Sequence, residues 1–309
     1  MSEGKRPSLI LVGLAALWCP GFGYLLIGKM GKAVLSAIAM VLAMFLHFFI
    51  ARFGPVAYLI GLLLFFVVYV TTIWLTLKDA KKVSFATPKK ISLSVKILFA
   101  VVVLGSLLSI KKHRTWLPGD QYVQSSAGLF PSVHTGERLY VDHLVYHFQE
   151  PKRGEIALFT TRNGGNVIFS KRIVGIPGDR IAWTAGELLV NDKKAVHTFV
   201  SAVSEQDEKT SFSDSKDGKH RIYKESFADT SYEIVLGETN LDTSDRETIT
   251  VPEGSYYVLG DHRNASNDSR AIGFISKRDL IGKGIYILWS RSDGQKIDWT
   301  RIGKKVTNE

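Results

Sequence analysis

Cysteine is nearly missing from this 309-residue chain. Cys19 is the single one, so no intrachain disulfide can staple the fold, and the redox character of its compartment is left open. No Cys-x-x-Cys or His-Glu-x-x-His spacing occurs, which removes the common sequence signs of a metal site. Acidic residues are scarce in one region only. Residues 1–110 hold Glu3 and Asp79 against eleven Lys and Arg, while the remainder holds 28 basic against 27 acidic residues. The formal net charge of +10 therefore belongs almost wholly to the hydrophobic third of the chain. There it reads as membrane topology and lipid headgroup contact, and nucleic acid is set aside as a partner. No Ala-x-Ala-like site follows a short apolar stretch, so the N-terminus is not read as a removable signal peptide. No internal repeat of fixed period is evident.

What the chain has in quantity is apolar sequence: 46% hydrophobic residues and a mean hydropathy of +0.08. Four apolar runs come first, at about 8–27, 33–51, 55–77 and 91–110. The middle two are long and nearly charge-free, enough for a bilayer core that needs about 20 helical residues. The last contains Lys96 near its start, where the side chain can snorkel to the headgroups. Pro20, Gly21 and Gly23 interrupt the first, which is a kinked span or a re-entrant hairpin. Basic residues concentrate in the loop 78–90, and the positive-inside rule puts that loop in the cytoplasm and everything after residue 111 outside it.

From about Asp120 the texture changes to short runs rich in Val, Ile, Tyr and Phe, separated by Gly, Pro, Asn and Asp. ERLYVDHLVYHF, EIALFTT, NVIFSKRIVGI, RIAWT, ELLVND, YYVLG and GIYILWS all read as strands. The expected architecture is a multi-pass α-helical membrane anchor over 1–110, with three or four transmembrane helices, followed by an all-β soluble domain over 111–309. Polar residues 198–250 read as an insertion or secondary β lobe.

The stretch Phe169–Asp179, FSKRIVGIPGD, carries the chemistry. As a strand it places Phe169, Lys171 and Ile173 on one face, so an ammonium projects from an apolar surface. Desolvation lowers the pKa of such a lysine, and a neutral amine is a general base. By itself the stretch better suits a lysine that snorkels or pairs with an acid, and its companions in the sequence decide.

Three further stretches accompany it: Ser125–Val141 (SSAGLFPSVHTGERLYV), Pro252–Asp261 (PEGSYYVLGD) and His262–Phe274 (HRNASNDSRAIGF). With KRIVGIPGD, and in this order, they resemble the motifs of the bacterial type I signal peptidases, serine/lysine-dyad endopeptidases that cut signal peptides from exported preproteins. The resemblance covers about residues 111–290. It implies that Lys171 is the general base with Arg172 beside it, and that the Ser266 hydroxyl hydrogen-bonds the lysine amine. It also implies that Asp268 and Arg270 form a supporting ion pair and that Ser126 contributes its hydroxyl to the oxyanion hole. Pro131, Ser132 and Gly136 fall in family positions. Glu137 replaces an Asp there, and His262, Asn264 and Ala265 depart from the commoner GDNRDNS. No metal or organic cofactor is implied. The implied partners are signal peptides of preproteins, the lipid bilayer and the protein-export machinery. The implied location is the bacterial cytoplasmic membrane, with the β domain on the periplasmic or extracellular side. Leu129, Phe130 and Phe169 are the candidate substrate contacts.

One departure matters most. The pattern Ser-x-Ser-Met-x-Pro places the nucleophilic serine three residues before the proline, and that position is Gly128. Glycine forms no acyl-enzyme. Three explanations stand open: an engineered exchange, a natural non-cleaving paralogue that binds preproteins or a partner peptidase, or a local shift in which Ser125, Ser126 or Ser132 serves. His134, His143 and His147 lack the spacing of a metal site or triad and read as surface or packing residues. Trp183, Trp289 and Trp299 read as core or interfacial anchors.

Overall fold

The computed structural model describes residues 8–18, 21–83, 119–161, 167–205, 207, 219–227, 229–238, 246–292 and 296–307. The expected span at 91–110 lies outside the described residues, as does most of the basic loop 78–90. The chain divides into two compact units, Met1–Pro118 and Gly119–Glu309.

In the first unit, helix α1 (Leu9–Trp18) is only 10 residues long, about half the length a bilayer core requires. Gly21 follows with φ 97°, and a Cβ on it would stand 2.7 Å from the carbonyl oxygen of Ala33, so the first apolar run breaks where its glycine sits. Helix α2 (Phe22–Leu26) completes that run. Helices α3 (Met30–Ala51) and α4 (Pro55–Ala80) are long and apolar enough to cross a membrane. Their leucines, valines and phenylalanines are mostly exposed, as lipid-facing side chains would be. The two helices form a hairpin in which Gly61 of α4 packs against His47 of α3, where a Cβ would stand 2.8 Å from the imidazole Nδ1. Asp79 at the end of α4 pairs with Lys29 and Lys32 near the start of α3, at 3.2 and 2.5 Å. Two candidate spans are thus present among the described residues, and the expected span at 91–110 is not among those residues.

The second unit is all-β. A seven-stranded sheet runs β1 (Gly119–Val123), β2 (Arg138–Asp142), β14 (Leu280–Trp289), β3 (Ile156–Thr160), β4 (Ile168–Gly175), β12 (Ser255–Leu259), β13 (Ile275–Ser276), all neighbours antiparallel. A four-stranded sheet joins β11 (Arg246–Thr250), β5 (Arg180–Thr184), β6 (Glu187–Val190) and β7 (Lys193–Lys194). A three-stranded sheet joins β10 (Thr230–Gly237), β9 (His220–Phe227) and β8 (Val196–Ala202). The polar stretch 198–250 therefore supplies strands to two sheets. Val174, Tyr257 and Leu259 of the large sheet pack with Trp183, Leu188, Tyr232 and Ile234 of the smaller ones in one apolar cluster. Leu129, Leu139, Ile156, Leu158 and Ile287 form a second, and Phe169, Ile173, Tyr256 and Val258 belong to a third.

One expected strand is shorter than its sequence suggests. ERLYVDHLVYHF alternates like a strand throughout, yet β2 stops at Asp142, and Val145–Phe148 is a helical turn. The buried Asp142 carboxylate accepts from the backbone N–H groups of Leu144 (2.9 Å) and Val145 (3.2 Å), which satisfies the donors a helical start leaves open. Asp142→Ala should therefore lower the stability of the full chain by about 1–2 kcal/mol, read as a fall in unfolding midpoint in detergent. An unchanged midpoint would mean that the cap contributes nothing.

Candidate active site

Lys171 sits in the middle of β4, opposite Ala157 of β3, and is only 6% exposed. Burial pushes its amine below the ordinary lysine value. Asp268 and Asp261 oppose that shift, Arg270 adds to it, and burial prevails.

The group facing this amine comes from the segment after β1. Ser126 is extended (φ −146°, ψ 162°), and a 3-10 turn over Ala127–Leu129 then folds Gly128 inward. Gly128 is not in the left-handed region, so its backbone suits an L side chain. A Cβ at 128 would lie 3.0 Å from Lys171 Nζ, 3.6 Å from Ser126 Oγ and 4.0 Å from the carbonyl oxygen of Ala265. The amine is the mobile end of a long side chain, so a few tenths of an ångström of adjustment would admit a small residue.

Arg172, the next residue, is fully buried and all five of its N–H groups are satisfied. Nε and Nη2 grip Asp261 at 2.7 and 2.6 Å. Nη2 also donates to Ser132 Oγ (2.8 Å), and Nη1 donates to the carbonyls of Gly154 (2.6 Å) and Val306 (3.3 Å). The guanidinium lies 4.4 Å from the centre of the Tyr232 ring. Asp261 ends the Pro252–Asp261 stretch, and nothing local in the sequence reveals its partner, which stands 89 positions away.

The loop after β12 closes the site. The N–H of His262 donates to Gly128 O at 3.3 Å, so this loop touches the turn that carries position 128. A Cβ on Gly260 would stand 2.6 Å from Gly128 O and collide with the Ser266 side chain, so only glycine permits that approach. Asp268 accepts from Arg270 Nε and Nη2, both at 2.8 Å, and from the N–H of Gly260 at 3.0 Å. Burial would raise the Asp268 carboxyl, but Arg270 and these donors hold it below the ordinary range. The departures from the commoner motif have structural places: His262 is buried 5.1 Å from the His220 ring, Asn264 accepts from the N–H of Gly237, and Ala265 is exposed.

Ser266 does not reach the lysine. Its hydroxyl is buried with no partner in hydrogen-bond geometry, although it stands near enough to Asp268 to help lower that carboxyl. It lies over Gly260 and lines a separate cavity of ≈450 Å³ with Trp183, Arg246 and Arg270. Leu129 and Phe130 are also misplaced as substrate contacts, since both are fully buried in core clusters. Phe169 does line the groove at Lys171, a cleft of ≈390 Å³ that includes Tyr122, Ser126, Leu158, Ile168 and Asn267.

A residue that the motifs did not single out links the two walls of that groove. Gln124 accepts from Ser170 Oγ (2.7 Å), the neighbour of Lys171, and donates to the carbonyl of Ser126 (2.8 Å). It thereby fixes the Ser126 segment against β4. Ile168–Ser170 pairs with β3 on one side, whereas β12 pairs with β4 only from Arg172 onward. Among the described strands none occupies the remaining edge beside the groove.

The family model described as "Signal peptidase, peptidase S26" matches residues 94–289, more than half of the chain. The chain belongs to the signal peptidase family S26. The signal peptidase I of Bacillus licheniformis is 29% identical over 216 residues, covering 69% of this chain and 97% of the relative. That of Rickettsia typhi is 34% identical over 160 residues, covering 49% of this chain and 55% of the relative. The chain thus spans about half the length of the rickettsial protein and nearly all of the Bacillus one. A solved signal peptidase I from Enterococcus faecalis is 24% identical, covers 44% of this chain and 97% of its own, and superposes with a TM-score of 0.25.

Removing the Arg172 guanidinium would strand Asp261 in the interior without a partner. Arg172→Met should cost about 3–5 kcal/mol of unfolding free energy, measured by denaturant titration. A loss below about 1 kcal/mol, the value of an exposed pair, would show that the pair does not hold the site together.

Proposed function

We propose that this chain is a membrane-anchored signal peptidase I framework in which Gly128 occupies the nucleophile position. The observation that carries the reading is the placement of a Cβ at 128, 3.0 Å from Lys171 Nζ and 3.6 Å from Ser126 Oγ. A serine there would have its base and an oxyanion donor in place at once.

With serine at 128, neutral Lys171 takes the hydroxyl proton as the oxygen attacks the scissile carbonyl. The oxyanion is held by the N–H of residue 128 and by the Ser126 hydroxyl. The protonated lysine then gives its proton to the leaving amine, and as a neutral base activates the water that hydrolyses the ester. Arg172, Asp268 and Arg270 support the walls. The substrate is the signal peptide of an exported preprotein, lying extended along the open edge at Ile168–Ser170, where strand addition supplies main-chain hydrogen bonds. Phe169 borders a shallow apolar subsite, which favours small substrate side chains. The apolar helices anchor the protein in the bacterial cytoplasmic membrane as a multi-pass anchor, with the β domain on the periplasmic or extracellular side, within reach of the export machinery.

The chain with Gly128 retains the base and the groove but offers no hydroxyl to acylate. A second reading follows from that glycine: a paralogue that binds preproteins or a partner peptidase without cleaving. Nothing in the backbone at 128 requires glycine, and side-chain loss there leaves the groove intact.

Incubating a preprotein with the chain and with its Gly128→Ser variant separates these readings. Cleavage should appear in the variant and exceed that of the parent by several orders of magnitude, on the order of 10⁶-fold when one member of such a unit is restored. Equal cleavage by both would place the nucleophile elsewhere. Signal-peptide binding without cleavage by either would favour the binder.

A further inference from the structure

A lysine kept beside a glycine has chemistry of its own. In a serine/lysine pair the amine is covered by the hydroxyl it serves. Here a side chain at 128 would begin 3.0 Å from Lys171 Nζ, and the glycine at that position carries none. Ser266 Oγ, the other hydroxyl that the motif would aim at the amine, makes no hydrogen bond to it. The lysine nevertheless lines the groove of ≈390 Å³, so a ligand that enters the groove meets the nitrogen without an intervening side chain from 128. The Ser126 hydroxyl lines the same groove and stands 3.6 Å from where a Cβ at 128 would be, within reach of a carbonyl oxygen held there.

We propose that Lys171 Nζ is a covalent site for aldehyde ligands, which condense with it to an imine. Desolvated lysines of this kind are nucleophiles toward carbonyl groups. The nitrogen lone pair forms the C–N bond while the carbonyl π electrons move to oxygen, and one amine proton passes to that oxygen to give a carbinolamine. Loss of the hydroxyl with the second amine proton, as one molecule of water, leaves the C=N bond. No oxidant or metal takes part. The Ser126 hydroxyl donates to the carbonyl oxygen as charge builds on it. A peptide aldehyde with small side chains fits the extended edge at Ile168–Ser170, so it should react faster than a simple aldehyde. That preference rests on the peptidase reading, whereas the reactivity of the amine does not.

The full chain in detergent at neutral pH is treated with propanal, or with a tri-alanine peptide aldehyde, in the presence of cyanoborohydride, and the alkylated lysines are mapped by mass spectrometry. Exposed lysines are protonated at this pH, so Lys171 should be labelled at least about tenfold faster than any of them. In the Gly128→Ser variant a Cβ 3.0 Å from Nζ and its hydroxyl cover the amine, and labelling of Lys171 should fall about tenfold. Labelling spread evenly over the lysines overturns the proposal, as does labelling of Lys171 that is unchanged by Gly128→Ser. Reaction with propanal but not with the peptide aldehyde supports the reactive amine and counts against the peptide-binding groove.

Discussion

The buried guanidinium of Arg172 is the constraint on which the site depends. An isolated charge in the interior is costly, and a buried pair is tolerable only when its remaining donors are also satisfied. Here every N–H has an acceptor, and the acceptors come from four places: the loop after β12 (Asp261), the segment after the 128 turn (Ser132), the approach to β3 (Gly154) and the C-terminal segment (Val306). These are the segments that must converge if Lys171, the next residue back, is to meet position 128. The energetics of one residue thus fix the geometry of its neighbour.

A second layer sets the distance across the groove. Gln124 bridges Ser170 and Ser126, and Gly260 lets the loop carrying Asp268 come within backbone contact of Gly128. Asp268 is kept charged by Arg270, yet its field does not restore the lysine to its ordinary basicity, because desolvation outweighs it. The outcome is an amine of lowered basicity beside a residue with no side chain. The same arrangement serves a peptidase whose nucleophile has been exchanged and a binder that never cleaves, and it leaves Lys171 open to electrophiles.

Much of this was legible from residue patterns, for identifiable reasons. The strands around Lys171 alternate and are rich in β-branched and aromatic residues, so their existence did not depend on tertiary context. The pairing of Asp268 with Arg270 is local, two positions apart, and its motif announced it. What was not legible is long-range. The contact of Gln124 with Ser170 spans 46 positions and that of Arg172 with Asp261 spans 89, and both exist only because the sheet brings distant strands together. Leu129 and Phe130 looked like pocket residues because an apolar side chain next to a site reads the same whether it faces the groove or the core. ERLYVDHLVYHF read as one strand because the capping role of Asp142 is invisible to a period-two pattern. The expected span at 91–110 falls among residues whose structure is not described.

The central claim is that Lys171 is a desolvated base facing position 128, and its own titration tests it most directly. The measurement is the side-chain ¹⁵N chemical shift of Lys171 followed against pH in the full chain. The account predicts a midpoint clearly below the ordinary lysine value of about 10.4. A midpoint at or above that value would mean that Asp261 and Asp268 outweigh burial and that the amine is a charged structural group.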